Sequence, residues 1–204
     1  MKKYFYLFVC VLFCCLSACS PYNDSEQLEI IDSGTYYRIY HEVLTQVRYE
    51  IYNREGDVVL SDKTSRPLKI NMINDDILEI SIGAGSGVIL RQYYSVSKNV
   101  FSQVFQNVFS NSDELIAYIT IPKGKTMESK IVVVQNIFDK SLFYKEFQLE
   151  LSNVIGSPIT KAEFSKDGAS LQVTYLSGED QTQVSTTLDL TLSNSSIPRE
   201  TDEE

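Results

Sequence analysis

The chain has 204 residues, with 27 acidic side chains against 18 basic ones (formal net charge −9), a single histidine, four cysteines and no tryptophan. An acidic body repels phosphate backbones, and no run of Lys or Arg interleaved with aromatics offsets that sign, so nucleic acid is not expected as a partner. All four cysteines (Cys10, Cys14, Cys15, Cys19) fall within the first 19 residues, which removes a thiol nucleophile, an iron–sulfur cluster and a thiolate zinc site from the rest of the chain.

The first element is a leader. Lys2 and Lys3 precede an unbroken apolar run from Tyr4 to Leu16, followed by Leu16-Ser17-Ala18-Cys19. The run is 13 residues long, short of the roughly 20 that cross a bilayer. A basic start, an apolar middle and small residues at the end are the parts of a secretory signal. With a cysteine closing it, the segment resembles a bacterial lipoprotein signal and its lipobox. The resemblance implies cleavage of residues 1–18, a diacylglyceryl group on the Cys19 thiol and, in many bacteria, acylation of the new amine. Two or three acyl chains attach durably where one attaches only marginally.

The membrane is therefore the expected partner through lipid on Cys19. Residues 19–34, polar and with one proline between Ser20 and Gln27, are expected to form the tether. The body would lie on the extracytoplasmic face, and Ser20 is compatible with an outer membrane in a two-membrane envelope. Loss of Lys2 and Lys3 leaves 16 basic against 27 acidic residues, a net of −11.

Beyond the tether, period-two alternation predicts strands. In chain order they are expected at about 35–42, 47–51, 56–61, 67–73, 78–82, 88–95, 115–121, 131–134, 147–151, 171–175 and 184–192. Val47-Arg48-Tyr49-Glu50-Ile51 and Leu78-Glu79-Ile80-Ser81-Ile82 show the pattern most clearly, each with one dry face. Ile131-Val132-Val133-Val134 is apolar on both faces and predicts an interior strand. Turn residues separate the runs, as in Arg54-Glu55-Gly56-Asp57, Asn74-Asp75-Asp76 and Lys166-Asp167-Gly168. Phe101, Val104, Phe105, Val108 and Phe109 are spaced as a helical stripe, so a short helix and a strand are both open there.

An acidic turn before a strand-opening leucine recurs at Asp75/Leu78, Asp113/Leu115 and Asp167/Leu171, the leucines 37 and 56 residues apart. Blades of WD-type propellers repeat at roughly 40 to 45 residues. The stretch from Ile159 to Tyr175 looks like the first two strands of a β-propeller blade. As a whole the chain resembles uncharacterised bacterial lipoproteins with blade-like sheets, a resemblance that implies a fold and no assigned chemistry. The expected fold is one all-β antiparallel domain over residues 35–192, a partial propeller-like stack of blades or alternatively a β-sandwich, with a solvated acidic tail at 193–204. Three or four blades are too few to close a ring comfortably. Uncovered sheet edges then make a homodimer through an edge a reasonable expectation.

Candidate sites in the body read first as structure. Gly83-Ala84-Gly85-Ser86-Gly87 precedes Val88-Ile89-Leu90, a strand and not a helix, so it is expected to be a hairpin and not a phosphate cradle. His41 lacks a nucleophile elbow and is expected to pack among Tyr36, Tyr37 and Tyr40. Asp75, Asp76 and Glu79 fit an acidic turn and an outward strand residue and lack the spacing of an EF-hand. In the doublets Tyr36-Tyr37 and Tyr93-Tyr94, neighbours point to opposite faces, which offers either exposed rings for a protein or glycan or rings filling a second sheet interface. The expected function is a non-enzymatic, membrane-anchored lipoprotein without cofactor that binds a macromolecular partner at the cell envelope. An inhibitor or immunity-type lipoprotein blocking a toxin or envelope hydrolase, and a carboxylate-based hydrolase, are the alternatives.

Overall fold

A computed structural model describes residues 28–42, 44–126, 129–154 and 156–191. The leader with Cys19, the tether up to residue 27 and the tail at 193–204 lie outside the described residues. Among the described residues sixteen strands build four antiparallel sheets in chain order. The first holds β1 (Ile30–Gly34), β2 (Tyr37–His41), β3 (Val47–Tyr52) and β4 (Val58–Thr64). The second holds β5 (Leu68–Met72), β6 (Ile77–Gly85), β7 (Val88–Ser95) and β8 (Val100–Phe101), with β9 (Phe105–Gln106) also on β7. The third is β10 (Val108–Asn111), β11 (Leu115–Thr120), β12 (Ile131–Asn136) and β13 (Tyr144–Phe147). The fourth is β14 (Ile159–Phe164), β15 (Ser170–Ser177) and β16 (Thr182–Asp189). Apart from β9, which joins β7 and not β8, consecutive strands are neighbours within each sheet, so the sheets are meanders, the all-β blade-like architecture expected.

Alternation explains the stacking. Ile39, Tyr49 and Ile51 of the first sheet meet Ile70, Leu78, Ile80 and Tyr94 of the second in one buried cluster. The other face of the second sheet gives Ile77, Tyr93 and Phe105 to a smaller cluster with Ile116 and Ile137. The third and fourth sheets share the largest cluster, with Ala117, Ile119, Val132 and Val134 against Leu171, Val173, Tyr175 and Leu188. Among the described residues no cluster joins the first sheet to the fourth, so the stack is open. Ile131 to Val134 are all buried, and β12 lies between β11 and β13 with another sheet on each face. This interior position is why its sequence does not alternate.

One open local reading is decided and two change. The stripe from Phe101 to Phe109 forms strands, not a helix: β8, β9 and the start of β10 occupy it. The strand expected at 147–151 lies earlier, as β13, and the chain then turns. The Leu151 amide donates to the Leu149 carbonyl at 2.8 Å, and Leu151 bridges to Ser177 at the end of β15. Phe147, Leu149 and Leu151 all pack on the core between the third and fourth sheets, so their alternation records burial during a crossover and not a strand. At the other end, β1 starts within the residues assigned to the tether. Its five residues are all exposed, which left no dry face to read.

Candidate functional site

The site is set by Asn107. It follows β9, which lies on β7, and precedes β10, which lies on β11. Its backbone is left-handed (φ 54°), and its carbonyl accepts from the Ile119 amide at 3.2 Å. The chain thus leaves the second sheet and joins the third within one residue, and β7 and β11 diverge from this fork. Between them opens a cleft of about 1000 Å³. Ser86, Gly87, Val88 and Ile89 line one wall, Thr120, Ile121 and Lys130 another, and Asn153 to Pro158, apart from residue 155, close the far side.

Two polar residues of the cleft, Arg91 and Tyr118, belong to the seam between the second and third sheets. Arg91 lies 3.7 Å from Glu79, longer than a hydrogen bond, while the Glu79 carboxylate already accepts from Tyr93 Oη (3.1 Å) and Ser81 Oγ (2.9 Å). Burial raises the Tyr93 hydroxyl pKa, and the Glu79 charge adds to it. Across the seam Tyr118 donates to Gln135 Oε1 at 2.9 Å. Burial, with the Glu146 charge, pushes its hydroxyl up to about 12. Lys130 Nζ donates to Asn153 Oδ1 at 3.0 Å. Among the described residues the lining carries two cations, Arg91 and Lys130, with Gln106, Asn107, Asn153 and Ser157 among its neutral polar groups, and no carboxylate or imidazole. Apolar side chains interrupt them: Ile89, Val104 and Ile121 are exposed.

The features singled out in the sequence fall in several places. Gly83 to Gly87 is the hairpin between β6 and β7, with Ser86 (φ 52°) and Gly87 (φ 77°) both left-handed at its tip. That geometry matches the twist of the flanking strands, and the tip forms the rim of the cleft. His41 is exposed at the end of β2, not packed among tyrosines. Its amide donates to the Glu29 carbonyl. Asp75 is exposed.

Asp76 is a structural acceptor, taking Ser95 Oγ (2.8 Å) and the Ser97 amide (2.6 Å) with Arg54 at 4.0 Å. Burial acts to raise its pKa, but the hydrogen bonds from Ser97 and Ser95 outweigh it and hold the carboxyl below its ordinary value. Among the described residues no group of three or more His, Cys, Asp or Glu could hold a metal. Both tyrosines of the 93–94 doublet are fully buried: Tyr94 stacks on Phe101 at 4.6 Å and Tyr93 faces Phe105 at 6.1 Å. They fill two successive sheet interfaces and present no ring to a partner.

A second polar cluster occupies the outer face of the first sheet. Glu50 is 9% exposed and accepts from Tyr40 Oη (3.0 Å), Tyr52 Oη (2.5 Å) and Arg48 (2.6 Å). Arg38 lies over the Tyr52 ring and Arg48 over the Tyr40 ring, at 5.1 and 5.2 Å. The signal for it was in the sequence, since Arg38 and Tyr40 on β2 and Arg48, Glu50 and Tyr52 on β3 share one parity. The fork left no such mark, because its walls come from segments scattered between residues 86 and 158. No protein-family model matches this chain, and no curated protein matches it.

Proposed function

We propose that this protein is a lipid-anchored, extracytoplasmic lipoprotein without chemistry of its own, whose body binds a macromolecular partner at the cell envelope. The observation that carries the reading is the leader, Lys2-Lys3 with the apolar run to Leu16-Ser17-Ala18-Cys19, which has the order of parts of a secretory signal and places a lipid acceptor at the cut. Binding is supported by the fork at Asn107, whose cleft offers amides, hydroxyls, two cations and branched apolar side chains. The acids considered for hydrolysis hold neighbouring groups instead: Asp76 takes Ser95 and Ser97, and Glu79 takes Tyr93 and Ser81.

Metabolic labelling with radioactive palmitate tests the anchor. The wild-type chain is expected to take label and to shorten by residues 1–18, and Cys19→Ser to remain full length and unlabelled. Normal labelling of Cys19→Ser overturns the reading.

A further inference from the structure

We propose that the cleft at the Asn107 fork is a peptide-binding site, in which an extended segment carrying an acidic side chain pairs as an added strand with the free edge of β7 at Ile89. The inference deepens the partner-binding part of the proposed function and does not depend on the lipid. Backbone directions establish the edge. The Tyr93 amide donates to Ser102 Oγ at 2.9 Å and its carbonyl accepts from the Ser102 amide at 2.8 Å, so Tyr93 faces the β8 and β9 side.

Successive residues of a strand turn their N–H and C=O groups to opposite edges, so Arg91 and Ile89 face the same side as Tyr93. Arg91 meets Phe105 of β9 there. In the same register Ile89 would meet Asn107, but Asn107 has turned away and given its carbonyl to Ile119. Ile89 therefore extends past the last β7–β9 pair, Leu90 with Gln106, with no further strand on that side among the described residues, and its side chain is 46% exposed.

Folded proteins usually guard such edges with charge or proline. Some outer strands here follow that rule, since β4 carries Asp62-Lys63, β5 carries Lys69, and β14 carries Lys161 and Glu163, whereas β10 (Val108–Asn111) has neither. The edge at Val88-Ile89 has no guard. Val104 (54% exposed) and Ile121 (37% exposed) stand in the same cleft, where alternate side chains of an added strand would find apolar contacts. Strand addition takes affinity from main-chain hydrogen bonds and specificity from such contacts.

Charge narrows the ligand. Arg91 and Lys130 line the cleft in a chain of net charge −9. Arg91 pairs with Glu79 at 3.7 Å and Lys130 with the neutral Asn153 amide at 3.0 Å, so among the described residues Lys130 is the cation without a carboxylate in the cleft, and a ligand carboxylate is its complement. A glycan is less well served, since among the described residues the lining has one aromatic ring, Tyr118, whose hydroxyl donates to Gln135.

The test is selection of a phage-displayed random nonapeptide library on the full-length chain in mild detergent, counter-selected on Ile89→Pro and Lys130→Glu. Selected peptides are expected to contain an acidic residue, to bind saturably, and to lose tenfold or more in affinity to either variant or when proline replaces a ladder residue of the peptide. Hydrogen exchange of the Ile89 amide is expected to slow at least tenfold in the complex. Lys130→Glu changes a half-buried side chain whose partner is Asn153 and keeps the test valid if Ile89→Pro does not fold. The proposal is overturned if no peptide is enriched, if enriched peptides bind both variants as well as the wild type, if the Ile89 amide stays unprotected, or if chitohexaose occupies the cleft while peptides do not. Palmitate labelling fails or succeeds independently of all these outcomes.

Discussion

Asn74 Nδ2 donates to Asp113 Oδ1 at 3.1 Å, tying the turn that opens β6 to the turn that opens β11. These are two of the three acidic turns that recur in the sequence, so the repeat has a structural counterpart: equivalent turns of neighbouring sheets meet. Asn74 also organises its own turn, its Oδ1 accepting from the Asp76 and Ile77 amides at 2.9 and 2.8 Å. Asn74→Ala removes all three bonds and is expected to cost about 1–2 kcal/mol in urea denaturation. Asp113→Ala removes only the exposed bond and should cost under about 0.5 kcal/mol. Equal losses for the two would show that the bond between sheets, not the turn, dominates.

Glu50 makes stability depend on acid. Burial acts to raise its pKa, but hydrogen bonds from Tyr52, Tyr40 and Arg48 outweigh that and hold it below its ordinary 4.5. A carboxyl whose folded pKa is depressed adds stability above its unfolded pKa and loses it as pH falls through the folded value. The contribution is therefore present above about pH 4.5 and declines below it. Glu50→Gln is expected to lose about 1–3 kcal/mol at neutral pH, as charged hydrogen bonds are lost, and to flatten the fall of Tm below pH 4.5. A parallel fall in wild type and variant would assign the acid response to other carboxyls, Asp76 first.

At the alkaline end the tyrosines act in the opposite sense. Tyr49, raised by burial and then by the Asp62 charge, and Tyr118, raised by burial and then by Glu146, reach about 12 from an ordinary 10.0. A raised folded pKa adds stability that is complete below the unfolded value and is lost as pH rises through the folded one. Stability is thus expected to erode between about pH 10 and 12. Absorbance at 295 nm should show a group of tyrosines that ionises only together with loss of the far-ultraviolet β signal. A single transition near pH 10 with the fold intact would contradict the burial of these rings.

Legibility in the sequence followed burial. Where one face of a strand is dry, as at Tyr49/Ile51, Leu78/Ile80 and Leu171/Val173, alternation marks the strand. Where both faces are wet, as in β1, nothing in the residue pattern distinguishes a strand from a tether. Alternation can also mislead, since Phe147, Leu149 and Leu151 take turns at one core while the chain changes sheets. The fork was illegible for a different reason. Asparagine adopts the left-handed conformation more readily than other side-chain-bearing residues, but Asn107 is one asparagine among several, and the edge it frees at Ile89 exists only through the register of β7 with β9.

The seam that the fork interrupts is the weakest joint of the stack. Five buried residues join the second sheet to the third, against eight between the first and second and nine between the third and fourth. Polar groups, Glu79 and Arg91 on one side and Tyr118 and Gln135 on the other, hold the seam's remaining positions. Leu171 lies in the largest cluster and is fully buried, so Leu171→Ala is expected to cost about 2–5 kcal/mol. Local opening follows cooperative units and not the whole chain, so the loss should be confined to the third and fourth sheets. In native-state hydrogen exchange, amides of β12 and β15 are expected to exchange at least about 25-fold faster, the lower bound of 2 kcal/mol at tenfold per 1.4 kcal/mol. Amides of β3 and β6 should change by less than about threefold if the two pairs of sheets open separately. Equal acceleration in all four strands would show that the four sheets unfold as one unit, with a seam as strong as its apolar neighbours.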